Sequence, residues 1–371
     1  MIKIKSPVIK SQEQIWTSEW SQRSTASEIK MWDFYLERPW ILKYVPRYGI
    51  VLEAGCGLGR YVFYLAALGI DIIGIDFVSE ALHKIQEYMK KNKVYSPFCQ
   101  GDVRKLCFKD NSLSGYISLG VIEHFEEGPD LAMQEAYRVL RPGGIAIITT
   151  PSVSFSQIYL QSKLKVKKSI KYLIKKIIRY PIYKPYFFQY WYLPKTLKKY
   201  LEKSGFKIVL SQGADLMYSF YELGYQPARK SWFTELLFKL ENTPMASIGA
   251  QAISISYKPA QQMYCFLCGH FNVHIKELTA SIPLCQDCQK KPLAKHYIKA
   301  NRLKFQSSML IHPEFNNDQE TCDYCGKEYA VSKILEYYGF SKNVCSICLK
   351  NSEINLNLSN TYIQPVWRLR T

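Results

Sequence analysis

The 371-residue chain is expected to fold as a doubly wound α/β domain with a mostly parallel sheet, followed by a second, smaller cysteine-rich domain. Three observations lead there. Short apolar runs that end in an acid, Ile50-Val51-Leu52-Glu53 and Ile70 to Asp76, alternate with helical stretches as far as residue 150. A glycine-rich turn, Gly55-Cys56-Gly57-Leu58-Gly59, joins the first run to a helical stretch. Eight of the eleven cysteines fall after residue 264, as four Cys-x-x-Cys pairs.

Composition narrows the class. Hydrophobic residues make up 47 %, enough for a large core. No apolar run reaches the ~18–20 residues a membrane helix needs. The N-terminus, Met-Ile-Lys-Ile-Lys-Ser-Pro, has no signal-type apolar block, so a cytoplasmic protein is expected. The net charge of +18 is concentrated: residues 160–208 carry fourteen Lys and Arg against the single acid Glu202. Such a patch suits an anionic partner.

In chain order, residues 1–45 read as a helical extension rich in aromatics (Trp16, Trp20, Trp32, Phe34, Tyr35, Trp40), with Ser27 as a helix cap. Residues 46–258 form the main domain. Tyr61–Leu68 is a helix ended by Gly69, and Ile70–Asp76 a second buried strand. Asp76 lies 21 residues after Gly55, close to the ~20-residue spacing of a ribose-binding acid. Ser79–Lys91 is an amphipathic helix. Ser96–Val103 is a third strand carrying Asp102 at its end, and Leu113–Ile122 a fourth. Pro129–Leu140 is a helix bounded by Arg141-Pro142-Gly143-Gly144, and Ile145–Thr150 a fifth strand. An insertion at 157–200 holds a basic amphipathic helix (157–180) and an aromatic stretch (185–192). A second basic helix spans 193–205. Residues 259–371 are the cysteine-rich domain.

Together these pieces resemble class I S-adenosylmethionine-dependent methyltransferases, in the branch called methyltransferase type 11. The matching segments are Val51–Arg60, Gly74-Ile75-Asp76, Gly101-Asp102-Val103, Ser118–Phe125 and Tyr137–Gly144, in family order and spacing. The resemblance implies a Rossmann-like, seven-stranded sheet whose last strand is antiparallel. It also implies roles. Glu53 and the backbone at Gly55 and Gly57 hold the methionine end of the cofactor, and Asp76 binds the ribose hydroxyls. Asp102 accepts from the adenine amine beside Val103, and Leu119 and Gly120 line the methionyl side. The chemistry of the cofactor agrees, since acids at three successive strand ends suit its ammonium, diol and amine in turn. It has no phosphate, and no Walker loop is present.

His124, preceded by Glu123 at the end of the fourth strand, is the candidate general base, because an unperturbed histidine titrates near neutrality. Shaping the pocket without proton transfer is the other reading. For residues 13–45, packing on the main domain is preferred to a cover over the methyl end. The insertion reads first as a substrate lid, compatible with contact to an anionic membrane surface. Nucleic acid is less favoured, because no base-methylating Asn/Asp-Pro-Pro-Tyr motif follows the fourth strand.

The four pairs are Cys265/Cys268, Cys285/Cys288, Cys322/Cys325 and Cys345/Cys348. Sixteen residues separate the first two pairs and nineteen the last two. Both gaps fit four-thiolate structural zinc sites, and Cys268-Gly269 and Cys325-Gly326 resemble zinc-ribbon knuckles. Two zinc ions, one per consecutive quartet, is the simplest arrangement, and cross-braced pairing stays open. A closed thiolate site has no open position for catalysis, so a structural and docking role follows, with a protein among its partners. The whole reads as a methyltransferase acting on a small-molecule, lipid or saccharide acceptor, with O-methylation favoured. The alternative is a zinc-dependent RNA- or protein-binding adaptor built on the same fold.

Overall fold

The computed structural model describes residues 2–6, 11–31, 37–156, 158–159, 186–223, 233, 236–237, 240, 243–274, 282–290, 315–321, 328–332 and 344–345. The first strand is β1 (Ile2–Ser6), and helices α1 (Gln12–Ser21), α2 (Thr25–Met31) and α3 (Arg38–Tyr44) follow it. Then come β2 (Val51–Ala54), α4 (Arg60–Ala67), β3 (Ile72–Asp76), α5 (Ser79–Asn92), β4 (Phe98–Gln100) and β5 (Leu113–Leu119). Helix α6 (Asp130–Val139) leads into the long strand β6 (Leu140–Pro151). Beyond it lie β7 (Tyr186–Trp191), α7 (Pro194–Lys203), β8 (Lys207–Ala214), α8 (Leu216–Glu222) and β9 (Gln251–Tyr257). A hairpin, β10 (Gln262–Tyr264) and β11 (Phe271–His274), precedes the short helix α9 (Gln286–Gln289).

Seven strands make one sheet in the order β4-β3-β2-β5-β6-β9-β8. Strands β4, β3, β2, β5 and β6 run parallel, while β9 is antiparallel to both neighbours. The sheet is therefore the expected doubly wound one, with its last strand reversed. Alternate residues of the central strands feed opposite faces. Ile145 and Ile147 join Trp40, Tyr44, Tyr61 and Leu65 of α3 and α4, whereas Ala146 and Ile148 join Met133, Leu197 and Leu201 of α6 and α7. Burial on both faces is why these strands are almost wholly apolar.

Four boundaries differ from expectation, each for a local reason. The third strand stops at Gln100, because Asp102 turns the chain by accepting the backbone N–H of Arg104 at 2.8 Å. The fourth stops at Leu119, where Gly120 takes φ +71° and Ile122–His124 coils as a 3₁₀ turn. The fifth begins early and runs through Arg141–Gly144. A register shift against β5 absorbs the extra residues, and Lys258 supplies backbone partners to Gly143 and Gly144. The cap of α2 is Ser24 rather than Ser27: each hydroxyl accepts the other's backbone N–H, both at 3.2 Å. The basic helix expected over 157–180 lies almost wholly outside the described residues. No helix among the described residues is long and apolar enough to cross a membrane.

At Gly143, φ is +79°, and a Cβ would come within 2.7 Å of the Tyr264 carbonyl oxygen. Gly143→Ala is therefore expected to cost about 1–3 kcal/mol of stability. Urea unfolding of the full chain measures it, and an unchanged midpoint would show that the β10 backbone does not bear on β6.

Candidate cofactor site and cysteine cluster

The C-terminal ends of β2, β3, β4 and β5 open into one cavity of about 460 Å³, within the ~300–1,000 Å³ typical of ligand sites. Glu53, Gly55, Gly57, Asp76, Asp102, Val103, Leu119, Gly120 and His124 all line it. Glu123 is absent from its walls and is 1 % exposed.

Asp76 organises the glycine corner. One carboxylate oxygen accepts the Gly57 N–H at 2.7 Å and the other the Val78 N–H at 2.9 Å. Gly57 has φ +52°, and a Cβ there would strike the Trp20 ring at 2.7 Å. The Gly55 N–H is likewise used, by the Ile75 carbonyl at 2.8 Å. The corner thus presents acceptors rather than N–H donors to a ligand. A carboxylate has about four lone-pair positions, so with these backbone bonds made Asp76 keeps capacity for a diol. Burial raises the Asp76 pKa, against the pull of its backbone hydrogen bonds.

Glu53 accepts the Val62 N–H at 3.0 Å, tying β2 to the first turn of α4. Burial pushes its carboxyl up to about 8, with Arg60 working in the opposite direction. Asp102 is held differently. Arg104 forks onto it at 2.7–3.1 Å, reaches Glu127 at 2.5 Å and covers the Phe125 ring at 4.7 Å. Burial works to raise the Asp102 pKa, but hydrogen bonds from Arg104 outweigh it and hold the carboxyl low.

The N-terminal helices cover this cavity, which departs from the preferred reading of them as mere packing. Trp16 and Trp20 stack at 5.5 Å and line the opening with Gln12. The C-terminal end of α1 is fastened by Lys84, which donates to the carbonyls of Trp20, Ser21 and Arg23 at 2.7–2.8 Å. Glu28 of α2 pairs with Arg60 at 3.0 Å and with Arg23 at 3.1 Å. At the far edge β1 pairs antiparallel with β7, and Phe187 of β7 reaches the cavity. The aromatic part of the insertion therefore roofs the site. Trp16 and Trp20 fall in the segment whose second reading is a cover over the methyl end, and Phe187 in the insertion read as a lid; the sequence does not single out Arg104 or Arg60. Arg60 stands inside the glycine motif, but nothing in one sequence marks Arg104 as a wall residue.

His124 does not have the environment of a base near neutrality. Its Nδ1 lies 3.1 Å from the Phe188 carbonyl, which can only accept, so this nitrogen carries the proton. Its Nε2 is 3.7 Å from Glu123 Oε1, and the ring meets Trp16 edge-on at 5.0 Å. Burial lowers the imidazole pKa to about 4 and raises the Glu123 carboxyl to about 8. At pH 7 the pair is therefore neutral, which corrects the expectation of near-neutral titration.

At the other end of the sheet, Cys265, Cys268, Cys285 and Cys288 bring their sulfur atoms within 4.8 Å of one another. This is consecutive pairing of the first two Cys-x-x-Cys units, not cross-bracing. Cys285 N–H donates to Cys265 Sγ at 3.3 Å, and Gly269, at φ +69°, turns the knuckle. Cys322, Cys325 and Cys348 lie outside the described residues. Cys345 belongs to a short strand whose side chains are not described, so the second expected quartet has no geometry here.

The doubly wound sheet thus gathers the acids Glu53, Asp76 and Asp102 around one cavity at its C-terminal edge. The family whose description is "Methyltransferase domain" matches residues 52–148 of the chain. Three curated relatives are similar over that region. One, from Mycolicibacterium smegmatis, is described as a "Probable S-adenosylmethionine-dependent methyltransferase"; it is 30 % identical over 29 % of this chain and 40 % of its own length. Phosphoethanolamine N-methyltransferase 3 of Arabidopsis thaliana is 31 % identical over 30 % of this chain and 24 % of its own. The ubiquinone biosynthesis O-methyltransferase of Rickettsia canadensis is 34 % identical over 27 % and 42 %. The chain thus spans less than half the length of each of these relatives. Among solved structures, Haemonchus contortus phosphoethanolamine N-methyltransferase 2 aligns at a TM-score of 0.45 and 16 % identity, over 68 % of this chain and 61 % of that one.

The His124 environment has a consequence for stability. Its folded-state pKa lies below the ordinary 6.5, so the unfolded chain takes up this proton first as pH falls. The contribution is complete above pH 6.5 and is lost as pH falls towards 4, by roughly 3 kcal/mol in all. Urea melts from pH 7 to 4 should show His124→Gln destabilised less by acid than the parent. Parallel curves would place the imidazole in water.

Proposed function

We propose that the chain is an S-adenosylmethionine-dependent methyltransferase. One observation carries the reading. The eight residues that the family pattern assigns to the cofactor, from four strand ends far apart in sequence, line a single cavity. Glu53 would face the ammonium, Asp76 the ribose diol, and Asp102 with the Val103 backbone the adenine. When bound, the cofactor supplies a sulfonium methyl already activated for in-line displacement. The chain's own work is then to orient the acceptor and keep water away. Trp16, Trp20 and Phe187 form the apolar cover that does so.

The acceptor is proposed to be a small molecule, lipid or saccharide, with methylation at oxygen. Both His124 nitrogens face protein groups, and its pKa lies far below that of an alcohol. The oxygen best served is one that is already ionised near neutrality, such as a carboxylate. His124 then positions Trp16 and the Phe188 backbone instead of taking a proton. A binding-only adaptor is the weaker alternative, since it gives no role to three acids around one cavity.

The four clustered thiols are proposed to hold one structural zinc, with a second at the Cys322/Cys325/Cys345/Cys348 set. The basic insertion is proposed to touch anionic lipid from the cytoplasmic side. Flotation with anionic vesicles tests that contact, and no salt-sensitive association would remove it.

Two measurements bear on the cofactor. Titration calorimetry should show saturable binding of S-adenosylmethionine, and Asp76→Ala should weaken it about tenfold or more. Undiminished affinity would remove the diol contact. Because burial holds Glu53 protonated near pH 7, an ammonium placed beside it should expel that proton. Calorimetry in buffers of different ionisation enthalpy should therefore detect proton release on binding at pH 7, absent in Glu53→Gln. Equal heats across buffers in the parent would show that Glu53 does not meet the ammonium.

A further inference from the structure

The cysteine hairpin is welded to the catalytic domain. Met263, Phe266, Leu267, Val273, Ile282 and Leu284 are buried in the same apolar cluster as Val51, Ile145 and Ile147. That cluster continues to Cys56 in the glycine corner. Backbone lies on backbone where Tyr264 crosses Gly143. Arg141 covers the Tyr264 ring at 4.3 Å and donates to the Tyr48 carbonyl at 3.1 Å, while Gly269 stands against the Tyr48 side chain. All of these contacts gather at the N-terminal ends of the parallel strands. The cofactor cavity opens at their C-terminal ends, about 20 Å away along a seven-residue strand.

The hairpin has little of its own to hold it in shape. Its strands are three and four residues long, and α9 is a single turn; elements this short are unstable by themselves. What closes the unit is the convergence of four sulfur atoms, two of them, on Cys265 and Cys288, only 1 % exposed. Resting on the reading of this quartet as a metal site, we infer that the metal is a structural part of the methyltransferase domain, not of a tethered docking module. It fixes the hairpin that closes the N-terminal end of the sheet, so its loss loosens β6 and lowers the stability of the whole domain, cofactor cavity included. Thiolate ligands select a soft or borderline cation such as zinc, and a closed four-sulfur site leaves no position for a reacting group.

The test uses the full chain, purified under reducing conditions without chelator. Mass spectrometry should find zinc bound. Stripping with a high-affinity chelator should lower the main unfolding transition on the order of 10 °C, and added zinc should restore it. Amide protection should fall together in residues 140–146 and 262–274, and affinity for S-adenosylmethionine should drop. Chelation also empties the second quartet, so Cys268→Ser, at a half-exposed ligand, isolates the first. Cys107→Ser, an exposed cysteine outside both sets, should behave like the parent. Metal-bound protein in which Cys268→Ser and chelation leave the main transition and cofactor affinity unchanged overturns the inference while keeping the metal site. Protein with no metal at the quartet overturns both.

Discussion

The fold's working end depends on one buried carboxylate. Asp76 takes two backbone N–H groups, one from the glycine corner after β2 and one from the first residues after β3. Through these bonds the carboxylate ties the two strand ends to one another. A buried N–H without an acceptor would cost on the order of 1–3 kcal/mol, and Asp76 supplies two. The residue expected to read the ligand is therefore also the one that shapes the corner. The turn bends through positive φ at Gly57, which brings its N–H to Asp76 and leaves room for the Trp20 ring.

The central sheet was legible because its signals are local and repeated. Apolar runs ending in Glu53 and Asp76, with a glycine turn at the spacing of a ribose-binding fold, give strand, turn and helix before any tertiary contact is known. The places where legibility failed are those where distant contacts decide. Arg141–Gly144 reads as a break because glycine and proline weaken a strand, yet Lys258 offers backbone partners from more than a hundred residues away. Asp102 reads as the end of a strand, yet its bonds to Arg104 pull it into a loop. Trp16 and Trp20 read as helix packing in preference to a cover, because nothing in their own segment shows that Gly57 and His124 lie beneath them.

His124 shows how burial can reverse a motif's apparent chemistry. From sequence alone an imidazole beside a carboxylate suggests an acid–base pair. In the fold, the carboxyl is raised and the imidazole lowered, each by loss of water, so both rest uncharged. Their contribution is shape: Nδ1 holds the Phe188 carbonyl, which also receives Gln12 of α1 at 3.0 Å. One carbonyl thus joins the strand roof, the helical roof and the floor of the cavity. On the proposed methyl-transfer reading, the demand for a base would move from the protein to the acceptor.

The two ends of the parallel strands carry different burdens. The C-terminal ends are irregular, with acids and positive-φ glycines that shape the cavity wall. The N-terminal ends, which in many α/β domains meet solvent through short loops, here carry the cysteine hairpin on Gly143 and Tyr48. Between them runs one apolar cluster, from Leu284 through Ile145 and Ile147 to Cys56. Packed interiors shift as units rather than deform continuously. Freedom gained where the hairpin meets β6 would therefore be felt through those isoleucines at the glycine corner. The thiol cluster and the cofactor cavity are separated by the length of a strand but share a core, and that shared core ties cofactor binding to the integrity of the cysteine hairpin.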